Sequence, residues 1–449
     1  MSESDGRLGV AVRAGDAETV RALVAAGADP DVLDADGLPL LCVAVAAYDG
    51  PVAGALVVGG ADPDRVLPDG STPRWRAVDG GSPAVCLALL DDELRLRLPA
   101  ATRERLLALA RGWYETGAVE ELRRRTGASG PAMTVRVQDD DYDWVDQVSL
   151  GGLVVRAGHG SILTSLEWAF RIPTPVDELI ARAVEQPDED HVNWSTVRSI
   201  LSQRLSHETW SAVVAHHRAP DPARRRLVVD YLRLRAVMCF DRPDPYEKEE
   251  SELLATWAAE ETDSALLARV LDIFLGYEHP GQETIGLRHA GHPDPRVRRE
   301  VPYALCRDYV ARSLAARAAL VTLTRDPDTR VRLSACMAGS RDADLRPDIT
   351  RALLLMAEDP DAETRGAAVS TLAEVQDLPR AVADALAGML DDDDLLVRLA
   401  ATYGLARCDD PRTAEAIERL GPLPAAYEHD HRPSALWRWS RRKANPGSE

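Results

Sequence analysis

Apolar residues recurring at i, i+4 and i+8 organise the C-terminal half of the chain. Val297/Val301/Leu305, Val331/Ala335, Ala368/Leu372 and Val397/Ala401/Leu405 each predict a helix with one inward face; Thr364 stands in the leading place of the third set. Each set follows an aspartate (Asp294, Asp328, Asp361, Asp394), a residue that caps the first free amides of a helix. Four residues after each aspartate comes an arginine: Arg298, Arg332, Arg365 and Arg398, at spacings of 34, 33 and 33. Prolines precede the first three aspartates (Pro293, Pro327, Pro360), and Pro295 sits just inside the first helix, where a missing N–H costs nothing. A second column, Asp344, Asp377 and Asp410, recurs every 33 residues and is expected to open the other helix of each unit. A fixed period of this size predicts stacked helical hairpins, none of which buries its apolar face alone.

The segments "HPDPRVRREVPYAL", "DPDTRVRLSACMAG", "DPDAETRGAAVSTL" and "DDDDLLVRLAATYGL" resemble the second-helix signature of the HEAT-repeat family. That resemblance implies Asp–Arg pairing between neighbouring units, so the four aspartates and four arginines above are assigned to a structural ladder. "APDPARRRLVVDYL" is similar to an earlier copy, with Asp221 and Arg225 in register, and 263–275 to a degraded one with Leu267 in place of the arginine. The N-terminal part carries another array. "GADPD" occurs at Gly27 and Gly60, and Asp36-Gly37 and Asp69-Gly70 repeat at the same offset of 33. "AVRAGDAETVRALVAAGADPDVLDADG" resembles an ankyrin repeat. Where that family has Thr-Pro-Leu-His, this chain has Leu38-Pro39-Leu40-Leu41 and then Thr72-Pro73-Arg74-Trp75. A fourth, weaker unit begins at His159, so an insertion must interrupt the stack. The implied fold is an all-α, alpha-alpha superhelix: ankyrin repeats over 1–97, a connector with a small β insertion and a degenerate ankyrin-like unit over 98–189, a HEAT solenoid over 190–425, and a basic tail over 426–449.

Composition fits an array. A chain of 449 residues exceeds the size at which single cores stop growing, about 250–300 residues. Hydrophobic content is 45% but aromatic content only 5%, so the apolar bulk is small or aliphatic and short helices can approach closely. Only Lys248 and Lys443 are lysines; either GC-rich bacterial coding or selection of Arg for carboxylates and phosphates explains that bias. The net charge of −20 repels phosphate backbones and attracts basic partners. Six dispersed cysteines (Cys42, Cys86, Cys239, Cys306, Cys336, Cys408) without a CxxC read as core residues in a reducing compartment. The first residues are acidic and no apolar run reaches about 18 residues, so neither a leader nor a membrane span is expected and the location is cytoplasmic.

The connector reads as helix over 98–125, a break at "GASGPAM", and a strand over 134–138. The acidic run from Asp139 to Asp143, with Tyr142 and then Trp144, is either a surface hairpin packed on the array or an inserted recognition loop. The tail holds Arg432, Arg438, Arg441, Arg442 and Lys443 against one acid, with Trp437 and Trp439 interleaved. It either contacts nucleic acid or a carboxylate-rich surface, or folds back as a cap with Asp391 to Asp394 as partners.

Catalytic signatures are absent from the sequence. His289/His292, His216/His217 and His429-Asp430-His431 lack the companions that complete a metal site. Gly59-Gly60 and Gly151-Gly152 lack phosphate-loop spacing, and there is no GxSxG or HExxH. The resemblance therefore implies a non-catalytic protein–protein interaction scaffold, without cofactor or metal, that binds a protein partner, and the acidic charge points to a basic one. Expected contact residues are Arg74 and Trp75 (the latter alternatively a core filler), Tyr142 and Trp144 on the insertion, and Arg296 and Arg330 before the repeat helices. The alternative is a HEAT-like DNA glycosylase drawing on Trp194, Trp210 and Trp257, or a nucleic-acid-binding protein; the acidic charge argues against both.

Overall fold

The computed structural model describes residues 3–90, 97–238, 245–306, 312–375 and 380–444. Cys239, Asp377 and the tail beyond residue 444 lie outside the described residues. The described chain is mostly helical with one three-stranded sheet, and it divides into two compact units, Met1–Phe240 and Asp241–Glu449.

The first unit opens with three helix pairs: Glu3–Ala14 with Ala17–Ala25, Leu40–Ala46 with Gly50–Val58, and Pro73–Gly80 with Pro83–Ala88. The second helix of each starts on a side-chain cap: Asp16 accepts from Thr19 N, Asp49 from Val52 N, and Ser82 from Val85 N. These caps recur every 33 residues, a column set by the need to satisfy the first turn's free amides. Leu8, Val20, Leu41, Val52, Val78 and Val85 join one apolar core that also takes in Ile162 and Leu166, beyond the insertion.

Between them, helices Ala100–Thr116 and Ala118–Thr126 break at Gly117. Strands β1 (Met133–Gln138), β2 (Trp144–Leu150) and β3 (Leu153–Arg156) then form an antiparallel meander in the order β1-β2-β3. Val137 sits opposite Val145, and Val148 opposite Val155. Val148, Leu150 and Val155 cover Trp113 and Leu122, so one sheet face closes over the two preceding helices. The chain returns to the stack at a close crossing. Gly158 N donates to Gly81 O at 3.0 Å, and a Cβ on Gly81 would lie 1.8 Å from Arg156 O. Gly81 also has φ 76°, so only glycine fits there.

Helices His159–Ala169, Val176–Val184, Val192–Gln203, His207–Val214 and Pro222–Met238 complete this unit. Val192–Gln203 packs on both His159–Ala169 and Val176–Val184, and the Trp194 indole donates to Asp230 at 2.9 Å. The compact unit thus continues to 240, past residue 190 where the sequence resemblance changes.

The second unit is a run of helical hairpins with a shared core of Val301, Val331, Ala335, Leu353, Leu372, Leu386 and Val397. Asp294 accepts from Arg296 N, Asp328 from Val331 N, Asp361 from Thr364 N, and Asp394 from Leu396 N and Val397 N. The second aspartate column is less regular than its spacing suggests. Asp410 accepts from Arg412 N ahead of Thr413–Leu420, but Asp344 pairs with Arg317 and the helix Arg346–Met356 has no side-chain cap.

The arginine column has one constant job. Arg298 Nη1 donates to the carbonyls of His292 and Pro293, Arg332 to Asp326 and Pro327, Arg365 to Asp359 and Pro360, and Arg398 to Asp392 and Asp393. Each latches the turn before its own helix. In the first unit Arg225 does the same to Ala219 and Pro220. The rungs between repeats differ from the expected ones. The carboxylates of Asp294, Asp328, Asp361 and Asp394 are occupied by helix amides, so Arg298 reaches Asp326 (2.7 Å) and Arg365 reaches Asp392 (3.0 Å), two residues before the next cap. Arg332 bonds Thr329 Oγ1 instead, at 2.9 Å. Arg298→Ala, losing latch and rung, should cost about 2 kcal/mol, and Arg332→Ala, losing the latch alone, about 1 kcal/mol. Urea unfolding of the two variants checks that order.

Candidate partner-binding groove

The helix Val192–Gln203 is fixed from both sides. His191 accepts from Asn193 N through Nδ1 at 3.1 Å, and Trp194, Val197 and Leu201 are buried. That rotation leaves Ser195, Ser199 and Gln203, at i, i+4 and i+8, on the open face. Opposite them, His159–Ala169 presents Ser165, Trp168 and Ala169, and Ser161 Oγ meets Thr196 Oγ1 at 2.6 Å where the two helices touch. Small hydroxyl side chains facing one another leave a groove of about 420 Å³, with Leu87 and Leu90 from the preceding stack.

The groove extends past Trp168. A second depression of about 690 Å³ runs between 171–177 and 203–212, and shares Trp168, Arg171 and Gln203 with the first. The guanidiniums of Arg171 and Arg204 lie 5.4 and 5.8 Å from the Trp168 ring. Arg204 also donates to Thr174 O at 2.7 Å, which ties this wall to Val192–Gln203. Beneath, Arg182 and Glu167, with side chains 2% and 4% exposed, pair at 2.6 Å. Thr174 Oγ1 donates to the same carboxylate, as does Arg111. Burial pushes the Glu167 carboxyl up, but hydrogen bonds from Arg182 and Thr174 with the Arg182 charge hold it below the usual range.

The hairpin tip contributes one residue, Asp143, to the groove wall. Asp139 is buried, accepting from Ser82 Oγ (2.6 Å), Ala84 N (2.7 Å) and Arg156 Nη1 (2.7 Å). Asp140 Oδ1 accepts from Tyr142 N and Asp143 N, both at 2.8 Å, which folds the tip and leaves Tyr142 84% exposed. Asp143 lines the groove and accepts from Ser195. Burial, aided by Asp140 and Asp139, pushes its carboxyl up against the pull of Ser195 and Arg198. Trp144 N donates to Asp190 O at 2.7 Å, with Arg136 over its ring, so the tip is seated on the helix 192–203 entry.

Of the residues expected to meet a partner, Tyr142 and Trp144 flank Asp143 on the hairpin tip, but neither itself lines the groove. Arg74 does not. It is 1% exposed, its guanidinium forked onto Asp64 (2.7 and 3.0 Å) and donating to Leu89 O, because it fills the interior between neighbouring helix pairs of the first unit. Trp75 is half-buried against the same core. Arg296 is exposed but held by its own cap residue Asp294 at 2.7 Å, and Arg330 is exposed; both belong to the second unit. Trp194, Trp210 and Trp257, on which the glycosylase alternative drew, are 0%, 8% and 2% exposed and present no ring to a nucleobase. Trp168, Ser195, Ser199 and Gln203 were missed in the sequence. The signal was present: a polar i, i+4, i+8 stripe opposite Trp194, Val197 and Leu201.

Among the described residues no cluster of three or more His, Cys, Asp and Glu side chains is placed to hold a metal, and no helix is long and apolar enough to cross a membrane. Residues 349–422 match the model of the family described as HEAT repeats. No curated protein matches the sequence. Among solved structures, the X-ray structure of YibA from Escherichia coli is similar at 17% identity and a TM-score of 0.43, covering 59% of this chain and 92% of that one.

Proposed function

We propose that the protein is a non-catalytic scaffold that holds another protein, and that the partner lies in the groove on either side of Trp168. The N-terminal caps at Asp16, Asp49 and Ser82 support reading the first array as ankyrin-like. One observation carries the binding reading. Two depressions share a half-buried tryptophan flanked by two guanidiniums, and the anchored acidic tip lends Asp143 to the wall of the first. An aromatic anchor in a desolvated pocket with a polar rim is where binding energy concentrates. Asp140, Asp141 and Asp143, with the net charge of −20, favour a basic partner from the cytoplasm.

The experiment is affinity capture at low ionic strength with wild-type, Trp168→Ala and Arg330→Ala baits. A basic protein should be recovered by wild type and Arg330→Ala, and on the order of ten-fold less by Trp168→Ala. Equal recovery by Trp168→Ala, or recovery of acidic proteins alone, overturns the reading.

A further inference from the structure

The C-terminal helix of the second unit makes a surface of opposite sign. His431–Ala444 docks on Leu395–Arg407 through Leu436 and Trp439, against Leu399 and Ala406. The Trp439 indole donates to Asp409 Oδ1 at 2.9 Å, and Lys443 Nζ to Asp409 Oδ2 at 2.7 Å. Arg432 bonds Asp430 and Ser370. The basic segment is therefore a seated helix, although its partner is Asp409 and not the run from Asp391 to Asp394.

The docking opens a groove of about 320 Å³ between the two helices. Its floor holds Tyr403, Ala406, Ala435 and Trp439, and its cations are Arg407, Arg438 and Arg442. Arg407 is engaged by Glu374 at 2.7 Å. Arg438 and Arg442 are exposed, one turn apart, and neither has an ion pair among the described residues; Arg438 Nε donates only to Ser434 O. The nearby acids are already answered: Glu374 by Arg407, Asp409 by Lys443 and Trp439. Arg442 acts on Asp409 only at a distance, so two guanidiniums stand without a bonded carboxylate beside a partly aromatic floor, in a chain of net charge −20.

We propose that this groove binds a short acidic peptide segment of another protein, with its carboxylates forked onto Arg438 and Arg442 and an apolar side chain on the Ala406–Trp439 floor. This site is independent of the Trp168 groove. Guanidinium forks match carboxylates two bonds at a time. Nucleic acid fits less well. A duplex needs a track of cations along several phosphates, and the net negative field repels a long polyanion more than a few carboxylates.

The test is fluorescence anisotropy of a fluorescein-labelled peptide of alternating Glu and Leu, titrated with the full chain. Arg438→Glu/Arg442→Glu and the milder Arg438→Gln/Arg442→Gln are compared with Arg296→Glu/Arg330→Glu, which changes the net charge elsewhere by as much as the first variant does. Saturable binding by wild type should weaken roughly ten-fold in the first variant, less in the second, and little in the third. Both groove variants should melt as wild type does. Absence of saturable binding, unchanged affinity in both groove variants, or an equal loss in the third variant overturns the proposal. So does tighter binding of labelled single- or double-stranded DNA, which would assign the groove to nucleic acid.

Discussion

Arg182→Ala should destabilise the first unit by about 3–5 kcal/mol, the cost of removing one member of a buried ion pair. Arg182 donates to Glu167 through both terminal nitrogens (2.6 and 3.2 Å), to Thr164 Oγ1 at 3.1 Å and to Glu178. Truncation leaves Glu167 ionised and 3% exposed, with Thr174 and the more exposed Arg111 as its remaining side-chain donors among the described residues. The pH dependence supplies a second readout. In the wild type the folded-state value of Glu167 lies below normal, so its contribution is complete above the ordinary carboxylate range and fades as pH falls through the folded value. Without Arg182, burial dominates and the folded value moves above normal, so protonation relieves the variant. The stability gap should therefore narrow between neutral pH and about pH 4. Urea unfolding at the two pH values measures it; a gap that widens on acidification would contradict this account. Arg182→Met/Glu167→Leu, which removes both charges, should recover most of the loss.

Asp139→Ala is the second large effect. Its carboxylate satisfies the Ser82 hydroxyl, the Ala84 amide and the Arg156 guanidinium, and its side chain is 1% exposed. Losing it strands a partly buried cation and a helix-start amide, for roughly 2–4 kcal/mol. The consequence is local in space. β1 and β2 should lose protection from amide exchange, and the tip carrying Tyr142 and Asp143 should lose its seat beside Ser195. Partner capture should fall with it, although no groove contact other than the tip has changed. Unaltered exchange across 133–150 would mean that the sheet holds itself in place.

Local chemistry was legible in the sequence, and long-range pairing was not. The aspartate caps at 294, 328, 361 and 394 are set by amides two or three residues away, so a spacing rule finds them. The helices over 98–125 and the strand at 134–138 follow for the same reason, although Gly117, with φ 81°, splits the former. Which acid answers each arginine depends instead on the rise between repeats. That geometry brings Asp326 to Arg298 and Asp392 to Arg365, but gives Arg332 a threonine. Arg74 read as a surface contact because its partner, Asp64, sits in a loop ten positions earlier, and a bidentate pair makes burial tolerable. The tail shows the same limit: its charge pointed to the densest acids, whereas the seat chosen by Leu436 and Trp439 selects Asp409. The Trp168 groove joins four segments far apart in sequence, from Leu87 to Gln203, and no periodicity connects them.

Amide hydrogen–deuterium exchange on the full chain, with and without the protein recovered by capture, is the most direct test of the scaffold reading. Slower exchange should appear in the bound state over 165–171, 195–204 and the tip 140–144. Protection confined to other segments, with 165–204 exchanging at the free rate, would contradict it.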